Sequence, residues 1–147
     1  MVEQAQVFEL PESQMPSGAE PHAVKTPDGV TLRALSAPPA PATLPRGTVV
    51  IMNGRAEFLE RYYETMRELA ARGFHVVGFD WRGQGGSSRL LQDRLRGHIR
   101  SFRQYDSDLC AIMENLVVDK CPPPYFALAH STGGHILLRN LASTHWF

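Results

Sequence analysis

Tyr125-Phe126-Ala127-Leu128-Ala129-His130-Ser131-Thr132-Gly133-Gly134 is the stretch on which the fold turns. A short apolar run with strand character leads into a serine, and residues 132–141 continue with the apolar spacing of a helix. A chain that passes directly from strand to helix through a serine needs a tight turn, which leaves room only for small residues two places before and two places after it. Ala129 and Gly133 meet that demand. Such a turn projects the Ser131 hydroxyl from the backbone, and the helix start behind it aims the Thr132 amide at a reacting oxygen. A second reading competes, in which Ser131 is a helix N-cap that satisfies the first free amides of the helix.

Upstream of this turn, apolar strand-sized runs alternate with helical stretches, the pattern of a parallel sheet covered by helices. Residues 48–52 and 74–79 predict buried strands, and 125–129 predicts a third. Between the first two, residues 58–72 carry Tyr62, Met66, Leu69 and Ala70 three or four apart, an amphipathic helix stopped by Gly73. A glycine-rich loop follows Asp80. A second helix spans 102–118, with Tyr105, Leu109, Ile112, Met113 and Leu116 on one face, and Pro122-Pro123-Pro124 ends it. Nearer the start, alternating runs at 23–26 and 30–35 flank Pro27-Asp28-Gly29, which predicts a hairpin. Residues 36–45 are a proline-rich surface linker. Residues 1–20 lack any period and predict a disordered arm, leaving 21–147 as a partial α/β domain.

Composition narrows the function classes. Lys plus Arg and Asp plus Glu are equal at 15 each, so no net field favours nucleic acid or an anionic membrane. The first ten residues have neither a basic n-region nor an apolar h-region, and no run approaches the roughly 18 apolar residues of a membrane span. These features place the expected protein in the cytoplasm with no integral membrane segment. Cys110 and Cys121 form no C-x-x-C pair, and His22, His98, His135 and His145 share no ligand spacing, so neither a metal nor an organic cofactor is implied. His75 lies in a strand, where a core or face histidine is expected. Arg94, Arg96, Arg100 and Arg103 read as a solvated basic face.

Three further segments share order and spacing with one known group. Asn53-Gly54-Arg55-Ala56-Glu57 follows the first buried strand, Asp80-Trp81-Arg82-Gly83-Gln84-Gly85-Gly86-Ser87 follows the second, and Gly97-His98 with Phe102, Tyr105 and Asp108 comes after that. Together with the Ser131 turn, these resemble the α/β-hydrolases of the lysophospholipase and monoacylglycerol lipase group, over residues 23–141. In that group the corresponding segments read H-G-x-x-E, D-x-R-G-H-G-x-S and G-x-S-x-G. Here Asn53, Gln84 and Ala129 replace a histidine, a histidine and a glycine. The resemblance implies the N-terminal half of an α/β-hydrolase fold, a hairpin followed by parallel strands with flanking helices. It implies Ser131 as nucleophile, the backbone N–H groups of Arg55 and Thr132 as oxyanion donors, and Ala129, His130 and Gly133 as the elbow. His130 has no proton-transfer role in this reading, because neighbouring side chains at a tight turn point apart. The loop after Asp80 reads as scaffold.

The same resemblance implies a substrate that is a small ester or lipid, and a triad in the order Ser, acid, His. Only 16 residues follow Ser131, so no strand remains to carry the acid and the histidine. The expectation is a chain truncated after the nucleophile helix. It would need a missing C-terminal half for a complete site and have negligible turnover alone. A proline-iminopeptidase-like serine peptidase shares the elbow and remains open, as does a non-catalytic binding module.

Overall fold

The computed structural model describes residues 5–147. Its five strands form one mixed sheet in the order β1-β2-β4-β3-β5. Strands β1 (Glu20–Lys25) and β2 (Thr31–Ala37) are the predicted hairpin, paired antiparallel from Glu20↔Ser36 to Lys25↔Thr31. Thr26 closes its turn, donating from Oγ1 to Asp28 Oδ1 at 2.6 Å and accepting from the Val30 amide at 3.0 Å. Strand β2 runs antiparallel to β4 (Phe74–Phe79), whereas β3 (Gly47–Met52) is parallel both to β4 and to β5 (Tyr125–Ala129).

The central strands β3 and β4 are apolar at most positions, with Thr48 and His75 the polar exceptions, because both faces are covered. Side chains alternate across the sheet. Val50, Met52, Val77 and Phe79 point to a core shared with Leu109, Ile112 and Ile136, while Val49, Ile51 and Val76 point to one shared with Leu59, Tyr63 and Met66. Helices α2 (Arg103–Ile112) and α3 (Thr132–Leu141) therefore cover one face, and α1 (Tyr63–Ala71) covers the other.

Two predicted helices differ in their ends. The 58–72 helix begins with a 3-10 turn at Leu59–Tyr62, and the 102–118 helix finishes as a π-helical turn at Met113–Val117. Asp80 accounts for the first: its carboxylate takes the Leu59 amide at 2.8 Å, fixing the entry of the chain into α1. The expectation of a third buried strand needs correction. Strand β5 pairs with β3 alone, so it forms the sheet edge, and Phe126 and Leu128 are 45% and 43% exposed. An apolar run of this length has the same appearance at an edge as in the centre.

Of the expected N-terminal arm, residues 1–4 lie outside the described residues. From Ala5 onward, Val7, Met15 and Ala19 pack beside α1, and Ser13 Oγ donates to the Glu60 carbonyl at 3.0 Å.

Candidate active site

Parallel strands β3 and β5 end side by side, with Met52 paired to Ala129. The segments that follow them, 53–57 and 130–134, therefore leave the same end of the sheet as neighbours. The backbone of the second remains tied to the first, since the His130 amide donates to the Met52 carbonyl at 3.0 Å.

Ser131 sits between β5 and α3 with φ 50° and ψ −116°, a conformation that L-residues rarely adopt. Two contacts hold it there: Gly133 N–H donates to the His130 carbonyl at 2.9 Å and His135 N–H to the Ser131 carbonyl at 3.1 Å. The requirement for a small residue after the turn is steric. A Cβ at Gly133 would lie 2.2 Å from the Met52 carbonyl oxygen, so the helix start could not pack against β3 with any side chain there. Ser131 is exposed, and although its backbone occupies the N-cap position of α3, its side chain makes no cap bond there. Among the described residues its hydroxyl makes no hydrogen bond, and the Thr132 amide meets no acceptor.

The 53–57 segment is clamped from two sides. On the β4 side, Trp81 Nε1 donates to the Asn53 carbonyl at 2.9 Å and Gln84 Nε2 to the Gly54 carbonyl at 3.0 Å. Gln84 Oε1 accepts the Ala56 amide at 3.2 Å, and Asn53 Nδ2 donates to the Phe79 carbonyl at 3.1 Å. On the elbow side, Glu57 Oε2 accepts the Gly54 amide at 2.6 Å, the Tyr62 hydroxyl at 2.6 Å and a contact to His130 Nδ1 at 3.1 Å. Of the successive amides of Gly54, Arg55 and Ala56, the middle one alone has no acceptor among the described residues.

Burial works to raise the Glu57 carboxyl, but the hydrogen bonds from Tyr62, the Gly54 amide and His130 outweigh it and hold it at about 2. Glu57 is thus ionised at neutral pH. Burial and the Glu57 bond push the Tyr62 hydroxyl well above its usual range. A cleft of about 470 Å³ opens here between Glu57, Arg61 and Tyr62 on one side and Leu128, Ala129 and His130 on the other. A larger hollow of about 1070 Å³ lies elsewhere, under Phe8 and Leu10, and Ser131 is not part of its wall.

The predicted residues Ser131, Thr132, Ala129, His130 and Gly133 lie together at the turn, with Arg55 in the adjacent segment. Glu57, Tyr62, Trp81 and Gln84 were not among the expected site residues. The acid at the end of Asn53-Gly54-Arg55-Ala56-Glu57 was the available signal for the first. His22 and His75 are elsewhere, both with imidazoles pushed down chiefly by burial. Among the described residues no group of three His, Cys, Asp or Glu side chains could hold a metal ion, and no helix is long and apolar enough to cross a membrane.

The family model described as "Serine aminopeptidase, S33" matches residues 43–145. The chain is 43% identical over 91 residues to Lysophospholipase L2 of Escherichia coli, covering 60% of this chain and 26% of that protein. It is 33% identical over 97 residues to the Monoacylglycerol lipase of Mycolicibacterium smegmatis, covering 66% of this chain and 33% of that protein. The chain thus spans about a quarter to a third of the length of these relatives. Among solved structures, the Cif epoxide hydrolase from Acinetobacter nosocomialis superposes with a TM-score of 0.67 at 16% identity, covering 90% of this chain and 36% of that one. That likeness is one of fold.

Proposed function

Because this chain belongs to the serine aminopeptidase S33 family of α/β-hydrolases, we propose that it carries the nucleophile half of a carboxylic-ester hydrolase acting on lysophospholipids or monoacylglycerols. The observation that carries the proposal is the backbone of Ser131, held at φ 50° between a strand end and a helix start. A serine used only for capping has no need of that conformation, whereas a nucleophile gains an exposed hydroxyl from it.

In this mechanism Ser131 Oγ attacks the ester carbonyl, its proton passes to a histidine, and the developing oxyanion is held by the Arg55 and Thr132 amides. Among the described residues both amides are without acceptors, which suits donors reserved for a transient charge. The tetrahedral intermediate collapses with cleavage of the ester C–O bond, and the histidine passes its proton to the departing alcohol. Water, deprotonated by the same histidine, then hydrolyses the acyl-enzyme to release the acid and restore Ser131. No histidine of the described residues bonds to Ser131, so the chain by itself supplies a nucleophile and an oxyanion site but no general base. Without a base, turnover should be negligible. The lipid substrate class rests on the names of the relatives at 33–43% identity. The family description favours a second reading, a serine peptidase that releases N-terminal residues.

The test grafts residues 21–147 into an active relative in place of its own corresponding segment. Fluorophosphonate should label Ser131, and Ser131→Ala should abolish labelling and lower kcat by about 10⁶-fold. Hydrolysis of monoacylglycerols or lysophospholipids, against none of N-terminal prolyl peptides, would select the lipase reading, and the reverse would select the peptidase. The ungrafted chain should label slowly or not at all. Rapid stoichiometric labelling would mean that one of its own histidines acts as the base.

A further inference from the structure

The contact between Glu57 and His130 joins residues 73 apart in sequence, and among the described residues it is the one side-chain bond between the segment after β3 and the elbow after β5. A carboxylate has only acceptor sites, so the imidazole nitrogen facing it has to be the donor. Glu57 is ionised at neutral pH for the reasons given above, and its Oε2 already takes the Gly54 amide and the Tyr62 hydroxyl. From these observations we propose that Glu57 is a positioning residue: it ties the Arg55-bearing segment to the Ser131 elbow and fixes His130 as the Nδ1–H tautomer, with the Nε2 lone pair turned away from the carboxylate.

The geometry leaves little latitude for any other arrangement. Gly54 passes so close that a Cβ there would lie 2.8 Å from Glu57 Oε2 and 3.0 Å from His130 Nδ1, so a side chain at this position would push the two apart. Gly54 and His130 are held by the same oxygen atom, which means that any shift of the carboxylate moves both segments together. The Arg55 amide lies one residue from the Gly54 amide and the Ser131 hydroxyl one residue from His130. Beside the backbone bond from His130 to Met52, Glu57 thus contributes the side-chain restraint on their separation, although neither touches it. Neutral histidine in water prefers to carry its proton on Nε2, so a population of the opposite tautomer in an imidazole 65% exposed to solvent needs a specific acceptor. The tie rests on the site assigned above for its relevance to catalysis, but not for its existence.

Nitrogen-15 spectra of the imidazole rings in this chain, assigned by comparison with His130→Asn, test the proposal. At a pH where His130 is neutral, the ring should carry its proton on Nδ1, and the Gly54 amide should exchange slowly with solvent. Glu57→Gln should move the proton towards Nε2 and speed Gly54 exchange by tenfold or more, with the remaining amide spectrum retained. A neutral His130 protonated on Nε2 in the unaltered chain would overturn the proposal, and this measurement stands even where Glu57→Gln fails to fold. Retention of the Nδ1–H tautomer in a folded Glu57→Gln chain would overturn it equally. Neither readout requires turnover, so failure of Ser131 to react in the grafted enzyme would count against the hydrolase reading and leave the tie intact.

Discussion

The loops that follow β4 and β5 both leave the carboxyl end of a parallel strand and both are rich in glycine, yet they treat their polar groups in opposite ways. After β4, the hydrogen-bonding side chains of residues 80–87 are all committed. Buried Asp80 bonds Arg33 Nε at 2.6 Å and the amides of Leu59 and Gly86 at 2.8 Å. Arg82, fully buried, reaches Asp108 at 2.6 Å and Asp28 at 2.7 Å. Ser87 donates to the Asp80 carbonyl at 2.7 Å and accepts the Arg33 amide at 2.8 Å. After β5, by contrast, Ser131 is exposed, its hydroxyl has no partner among the described residues, and its backbone is strained. A loop that satisfies its own polar groups at low dielectric becomes rigid support, whereas unspent donors in a strained turn are what a reaction can use. The two are connected in function, because Gln84 of the first loop holds the segment that flanks the second.

This contrast predicts that changes to the committed side chains after β4 cost stability and that replacing Ser131 after β5 does not. Removing the Arg82 guanidinium leaves Asp108 buried without its counter-charge, and Arg82→Ala should lower stability by about 3–5 kcal/mol. The urea midpoint of the variant against the parent chain measures this. A loss under about 1 kcal/mol would mean that the loop is not the rigid support described. Gln84→Ala leaves the Gly54 carbonyl and the Ala56 amide unpaired in a partly buried setting. It should cost about 1–2 kcal/mol and expose the Ala56 amide to hydrogen exchange; an unchanged exchange rate at Ala56 would uncouple the two loops.

The smallest effect has the opposite sign. At φ 50° and ψ −116° a Cβ is a liability, and glycine tolerates this region at far lower cost. Ser131→Gly should therefore stabilise the chain by about 1 kcal/mol, seen as a rise of several degrees in Tm, while removing the candidate nucleophile altogether. A fall in Tm would show that the Ser131 hydroxyl is engaged in holding the turn, and the distinction between support and reaction surface would fail at its central residue.

Local chemistry in the sequence was sufficient for the order of the elements, the hairpin around Pro27-Asp28-Gly29 and the turn at Ser131. Each rests on neighbours in the chain: apolar periods of two or near four, and small residues where backbones approach. The scaffold reading of Asp80 to Ser87 also needed only spacing, since an acid, an arginine and glycines at those intervals resemble a known loop. The 3-10 entry into α1 and the Glu57–His130 bond were not legible in this way. Each depends on which segments lie beside one another. Strand β4 inserts between β2 and β3, and only this order brings Gln84 and Trp81 to the segment after β3 and sets that segment against the elbow. The sequence by itself therefore determined the pieces of this α/β-hydrolase segment and the identity of its candidate nucleophile. Tertiary structure alone decided which side chains support them, because hydrogen-bond partners up to 73 residues apart meet through strand pairing, and pairing is a property of the whole sheet.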